Sequence, residues 1–94
     1  MRIIGEIPHP DCRITLFHWN NRYIIKLERD YLEQTFKIDQ FDLSSEKDLS
    51  AIVNDQFIQE AIVRFQAMDQ SLRKPLDNLW NQSFLHRTQN YSIL

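Results

Sequence analysis

The sixteen residues Arg13-Ile14-Thr15-Leu16-Phe17-His18-Trp19-Asn20-Asn21-Arg22-Tyr23-Ile24-Ile25-Lys26-Leu27-Glu28 decide the fold. β-Branched and aromatic residues alternate with polar ones on both sides of Asn20-Asn21, and Asn tolerates the positive φ that a two-residue hairpin turn requires. Closing the hairpin there sets Trp19 opposite Arg22, Phe17 opposite Ile24, Thr15 opposite Lys26 and Arg13 opposite Glu28 on one face. The other face pairs His18 with Tyr23, Leu16 with Ile25 and Ile14 with Leu27, which is an apolar core face. A slip of one residue would mix the two sets, so the pattern specifies its own register.

Outward from the hairpin the same alternation continues, predicting strands near 2–7, 12–19, 22–28 and 31–38 joined through Pro8-His9-Pro10-Asp11, Asn20-Asn21 and a turn around Arg29-Asp30. The extended register opposes Glu6 to Arg13, Ile3 to Leu16, Ile7 to Cys12, Lys26 to Glu33 and Leu27 to Leu32, with Glu6, Arg13 and Glu28 forming a charge ladder. From Leu43 the period becomes helical, with apolar residues at Leu49, Ile52 and Val53, then at Phe57, Ile58, Ala61, Ile62, Phe65, Met68 and Leu72. At 100° per residue the two groups point about 120° apart, so one straight helix cannot bury both. A break at Asn54-Asp55, both good N-cap residues, predicts a short helix over about 45–53, entered at Ser44 or Ser45, and a longer one over about 55–73. Pro75 is expected to end the longer helix, residues 76–85 to add one more short helix, and residues 86–94 to form an irregular tail.

The expected architecture is a single α+β domain over 1–94: an N-terminal four-stranded antiparallel β-meander over about 2–41, with two or three C-terminal helices over about 44–85 packed on one face. Its expected core is Ile14, Leu16, Ile25, Leu27, Leu32, Phe36, Ile52, Ile58, Ile62 and Phe65.

Composition removes several functions. The chain has one Gly in 94 residues, which excludes the glycine-rich loops that cradle phosphates and dinucleotides. Its 11 Lys and Arg against 13 Asp and Glu give a net charge of −2 with no basic arm, which disfavours nucleic acid and acidic membranes as partners. No apolar run is long enough for a signal peptide or a membrane span, and a single Cys cannot close an internal disulfide; both point to the cytoplasm.

His9, Cys12 and His18 have residue types suited to zinc or copper. Cys12 and His18 lie six residues apart on one strand, however, roughly 20 Å at 3.3 Å per residue, too far for one tetrahedral site. Cys12 as a nucleophile would need a base and an electropositive setting, and Asp11 beside it works against a thiolate. The carboxylate pairs Asp39 with Asp42 and Glu46 with Asp48 flank a helix start, where negative charge is favoured for structural reasons. No cofactor or metal is expected, and an enzyme built on His9, Asp11, Cys12 and His86 ranks third among the readings.

The outward sheet face is the candidate site. It is expected to carry Phe17, Trp19, Ile24 and Tyr31 among Arg2, Thr15, Arg22, Lys26 and Glu33, an apolar patch rimmed by charge where an open face should be polar. Trp and Arg are common interface anchors, here adjacent as Trp19 and Arg22. Phe17, Trp19, Arg22, Ile24 and Tyr31 are therefore assigned to an interface, with a second copy or another protein as partner. The alternative on the same face is a small-ligand or single-stranded nucleic-acid binder that stacks bases on the aromatics, although RNA-recognition sheets interleave strands with helices and this chain does not. A third arrangement folds the C-terminal segment, with Leu79, Trp80, Phe84, Leu85, Tyr91 and Ile93, back across the face in the same chain.

Ile4-Gly5-Glu6-Ile7-Pro8-His9-Pro10, Ile14-Thr15-Leu16-Phe17 and Asn21-Arg22-Tyr23-Ile24-Ile25-Lys26-Leu27-Glu28 together resemble a set of short, uncharacterised bacterial proteins, over roughly residues 3–38. The resemblance implies a stand-alone small α+β protein of unknown function and carries over no functional residues.

Overall fold

The computed structural model describes the backbone of residues 1–93 and the side chains of residues 1–81. Four strands, β1 (Arg2–Ile7), β2 (Arg13–Trp19), β3 (Arg22–Arg29) and β4 (Leu32–Asp39), form an antiparallel sheet in the order β1-β2-β3-β4. A 3-10 turn at Gln40–Asp42 leads to α1 (Lys47–Ile52) and α2 (Asp55–Ile93). This is an α+β meander with its helices following the sheet.

The β2–β3 ladder has the register read from the alternation, from Trp19 with Arg22 down to Arg13 with Glu28. Asn20 and Asn21 take φ values of 51° and 59°, the left-handed region demanded by the tight turn. The two outer hairpins differ from expectation. Pro8 and Pro10 cannot donate to a ladder, so the first connection is longer and closes on Ile7 with Ile14, leaving Glu6 opposite Thr15. A bulge between Ile3 and Gly5 then sets Ile3 opposite Phe17, where Leu16 was expected, while Ile4 packs toward the core. At the third turn Asp30 is the residue at positive φ, 54°, so the loop is Asp30-Tyr31 and Arg29 pairs with Leu32. Lys26 thus opposes Thr35 and Leu27 opposes Gln34, two residues from the expected partners. A shift of two preserves every face, because side chains alternate with period two.

The core lies between the sheet and the helices: Ile14, Leu16, Ile25 and Leu27 from β2 and β3, Leu49 and Val53 from α1, and Ile58, Ala61 and Phe65 from α2. Leu32, Phe36, Ile52 and Ile62 are only partly buried against it. For Leu32 and Phe36 the reason is that β4 is an edge strand.

The helix break falls at Val53-Asn54, where Asn54 Oδ1 accepts from the Phe57 N–H at 2.9 Å. Asp48 accepts from the N–H groups of Ser44 and Ser45, at 2.8 and 3.4 Å, and Asp39 accepts from the Phe41 N–H at 3.0 Å. Asp39 and Asp48 are thus caps in this fold, whereas Glu46 makes no side-chain cap bond and pairs with Arg2. Asn54→Ala is expected to cost about 1 kcal/mol, read as a lower urea midpoint at unchanged m value; an unchanged midpoint would show that the cap contributes nothing.

Pro75 does not end α2. The helix continues through it to Ile93, so in place of the expected stop at 73, the separate helix over 76–85 and the irregular tail over 86–94 the described residues form one continuous helix, Leu94 lying outside them. Proline removes the bond to the Ser71 carbonyl, but Ser71 and Pro75 are both exposed, so the loss falls on the solvent side of the helix, where an unpaired carbonyl costs least. The residue before proline is biased against helix without being barred from it.

α2 lies antiparallel alongside β4. The Phe57 ring packs on the Phe36 ring at 5.1 Å between centroids. Gln34 bridges next, its Nε2 donating to the Ala61 carbonyl at 2.8 Å and its Oε1 accepting from Arg64 Nε at 2.8 Å. At the Asp30-Tyr31 turn the Tyr31 hydroxyl donates to Asp69, and Arg73 Nε donates to Asp69 at 3.3 Å. Beyond Arg73 the helix runs past the end of the sheet, and the molecule reaches 69 Å in its longest dimension.

Candidate functional site

Alternation places Ile3, Phe17, Trp19 and Ile24 on the sheet face that points away from both helices. Ile3 opposes Phe17 across β1 and β2, and Phe17 opposes Ile24 across β2 and β3, so three apolar side chains cross the sheet in one row. Trp19, 46% exposed, stands beside that row, two residues along β2 from Phe17 and opposite Arg22, and Ile3 is 65% exposed. Phe17, Trp19 and Ile24 line, with Met1, Lys26 and Thr35, a shallow hollow of about 210 Å³.

Two assigned residues sit differently from expectation. Ile24 is on the outward face but only 4% exposed, covered by Phe17 and Lys37 across the ladder and flanked by Arg22 and Lys26 on its own strand. It forms the floor of the patch. Tyr31 is not on the face at all: the turn moved by one residue, which puts Tyr31 at the loop tip, where it reaches toward α2. Its hydroxyl is pushed up by donating to Asp69, whose carboxyl is held below the usual carboxylate range by Tyr31 and then by Arg73. The three groups fasten the turn to the point where α2 leaves the sheet. Arg2 also leaves the face, because the bulge in β1 turns it toward the helices, where it pairs with Glu46 at 2.7 Å. Ile3 and Met1 were missed because the bulge that turns Ile3 outward has no signature beyond the single Gly5.

The charged rim is balanced. Arg13, Arg22, Lys26 and Lys37 share the face with Glu6, Glu28, Glu33 and Asp39, four of each sign. Arg13 bonds Glu6 at 2.9 Å and Lys26 reaches Glu33 at 3.3 Å, both as diagonal neighbours. The face therefore presents no field of one sign to a charged partner.

The remaining chemical residues are dispersed. His9 Nδ1 accepts from the Asp11 N–H at 3.1 Å inside the first turn. Cys12 is buried beside it, and burial first, then the Asp11 charge, pushes its thiol up, with Arg29 opposing; this is the reverse of nucleophile activation. His18 lies at the other end of β2, hydrogen-bonded to Gln40 Oε1 at 2.8 Å and tilted against the Tyr23 ring. Among the described residues no cluster of three His, Cys, Asp or Glu is arranged to hold a metal ion. The side chains of His86, Phe84, Leu85, Tyr91 and Ile93 lie outside the described residues.

Comparison of the chain with protein-family models, with curated proteins and with solved structures found no match. Among the described residues no helix is long and apolar enough to cross a membrane.

Proposed function

We propose that this protein is a self-associating interaction module whose contact surface is the outward sheet face, with Trp19, Phe17, Ile3 and Arg22 as the contacting side chains over Ile24. The observation that carries this reading is the row of Ile3, Phe17 and Ile24 with the half-exposed Trp19 beside it, on a face that the protein's own helices leave uncovered. The even balance of charges on the rim supports a second copy of the same chain as the partner, because two copies that each carried a rim of one sign would repel as they approached. The free, buried Cys12 suits a reducing compartment, and we place the module in the cytoplasm.

A small-ligand reading of the same face is weaker, since its hollow of about 210 Å³ is smaller than the roughly 300–1,000 Å³ of typical ligand pockets. Single-stranded nucleic acid would want an excess of cations along the aromatics, and the face has none.

Light scattering on a size-exclusion column tests the proposal. The wild-type chain is expected at twice its 11.4 kDa, and Trp19→Ala is expected to weaken self-association at least tenfold, consistent with a hot-spot Trp worth about 2 kcal/mol or more. A wild-type monomer at tens of micromolar, or a dimer indifferent to Trp19→Ala, would overturn it.

A further inference from the structure

We infer that the outward sheet face of one copy is occupied by the free half of α2 from a second copy, so that two chains clasp each other reciprocally. The inference rests on the self-association reading above and specifies what covers the face.

Four observations carry it. First, the chain has two large uncovered apolar surfaces among the described residues, and they are complementary in kind: a sheet face and a helix stripe. The stripe that packs under the sheet, Ile58, Ala61, Phe65 and Met68, continues at spacings of three and four through Leu72, Leu76 and Leu79, with Trp80 beside it. Leu79 and Trp80 are 57% and 59% exposed, so the stripe stays apolar after its covering ends.

Second, the lengths match. Residues 55–73 lie against the sheet and residues 74–93 extend past it, about 28 and 30 Å at 1.5 Å per residue. Strands of 7 and 8 residues, such as β2 and β3, span about 25 Å. The backbone of the free half is as long as one sheet, and the apolar stripe occupies its first two turns, through Leu79 and Trp80.

Third, the directions match. α2 runs along β4 and leaves the molecule at the Asp30-Tyr31 end, with its stripe still facing the side on which the sheet lies. A second copy, turned over by a two-fold axis perpendicular to the helix and placed end to end, sets its outward face on that stripe. The same rotation brings its own free helix onto the outward face of the first copy. Each sheet then lies between its own α2 and its partner's, and the contact closes at two chains, leaving neither face open to further copies.

Fourth, the contact occurs twice in the pair, so a modest helix-on-sheet footprint is doubled toward the roughly 800 Å² per partner of a stable interface. The chain cannot make this contact with itself, because α2 lies on the opposite side of its own sheet and continues to Ile93 without turning back.

The test uses two full-length single variants, Thr35→Cys on the outward face and Leu79→Cys on the free stripe, mixed in equal amounts and treated with a short bifunctional maleimide. The native Cys12 is buried, and the wild-type chain serves as its control. The expected result is a Thr35→Cys–Leu79→Cys cross-linked pair several-fold more abundant than either like pair, identified by mass spectrometry. A predominant Thr35→Cys like pair would overturn the reciprocal clasp while leaving the sheet face as the self-association surface. A predominant Leu79→Cys like pair, or no cross-link with a monomeric mass, would overturn both. As a second readout, Leu79→Asp is expected to lower self-association at least tenfold at unchanged far-UV ellipticity, because the residue is exposed in the single chain; an undiminished dimer would overturn the clasp.

Discussion

Phe65→Ala is expected to lower the stability of the fold by about 3–5 kcal/mol, the range for truncating a fully buried aromatic. Phe65 is 1% exposed and belongs to the one core cluster shared by β2, β3, α1 and α2. Removing its ring leaves a void between sheet and helix that a close-packed core collapses into only in part. Total stability for a domain of this size is about 5–15 kcal/mol, so the loss is a large fraction of the whole. With urea m values of about 1–3 kcal/mol/M, the midpoint followed by circular dichroism should fall by at least about 1 M at constant m. A shift well below that would mean that α2 is not packed on the sheet through this residue.

Pro75→Ala is expected to act in the opposite direction. A proline in a helix interior costs about 3 kcal/mol relative to Ala, through one missing hydrogen bond and the clash of its ring with the carbonyl four residues back. In this protein that carbonyl belongs to Ser71, on the turn spanned by the Asp69–Arg73 pair. Alanine restores the bond, and amide exchange over residues 72–80 should slow by up to about a hundredfold, the equivalent of 2.7 kcal/mol at 1.36 kcal/mol per tenfold step. Far-UV ellipticity should stay nearly constant, since the wild-type helix already passes through Pro75. A large rise in helical signal on substitution would show instead that the wild-type helix stops at residue 74. The same variant bears on association, because a stiffer free half of α2 presents its apolar stripe with less ordering cost.

Much of the fold is legible in the residues. Asn20-Asn21 and its flanking alternation set the central hairpin and both of its faces, because a period of two leaves one register that separates apolar from charged side chains. The 120° offset between the Leu49 group and the Ile58 group marks the helix break, and Asn54 supplies the cap there. The outward patch is legible for the same reason: Phe17, Trp19 and Ile24 are positions of the one well-specified ladder.

Where that ladder stops, tertiary structure decided. The outer hairpins shifted because turn closure depended on which residue accepts positive φ, at Asp30, and on prolines that cannot pair, at Pro8 and Pro10. That moved Tyr31 from the sheet face to a latch on α2 and turned Arg2 toward Glu46. Ile24 lies on the outward face yet is buried, since exposure depends on the long side chains of neighbouring strands and not on alternation alone. Pro75 is a local signal against helix that the extended α2 overrides. The α+β class, the central hairpin and the faces of its strands thus follow from local periodicity, which neighbouring residues carry among themselves. How far α2 runs, and that its free half leaves the sheet face uncovered, depend instead on packing between elements distant in the chain.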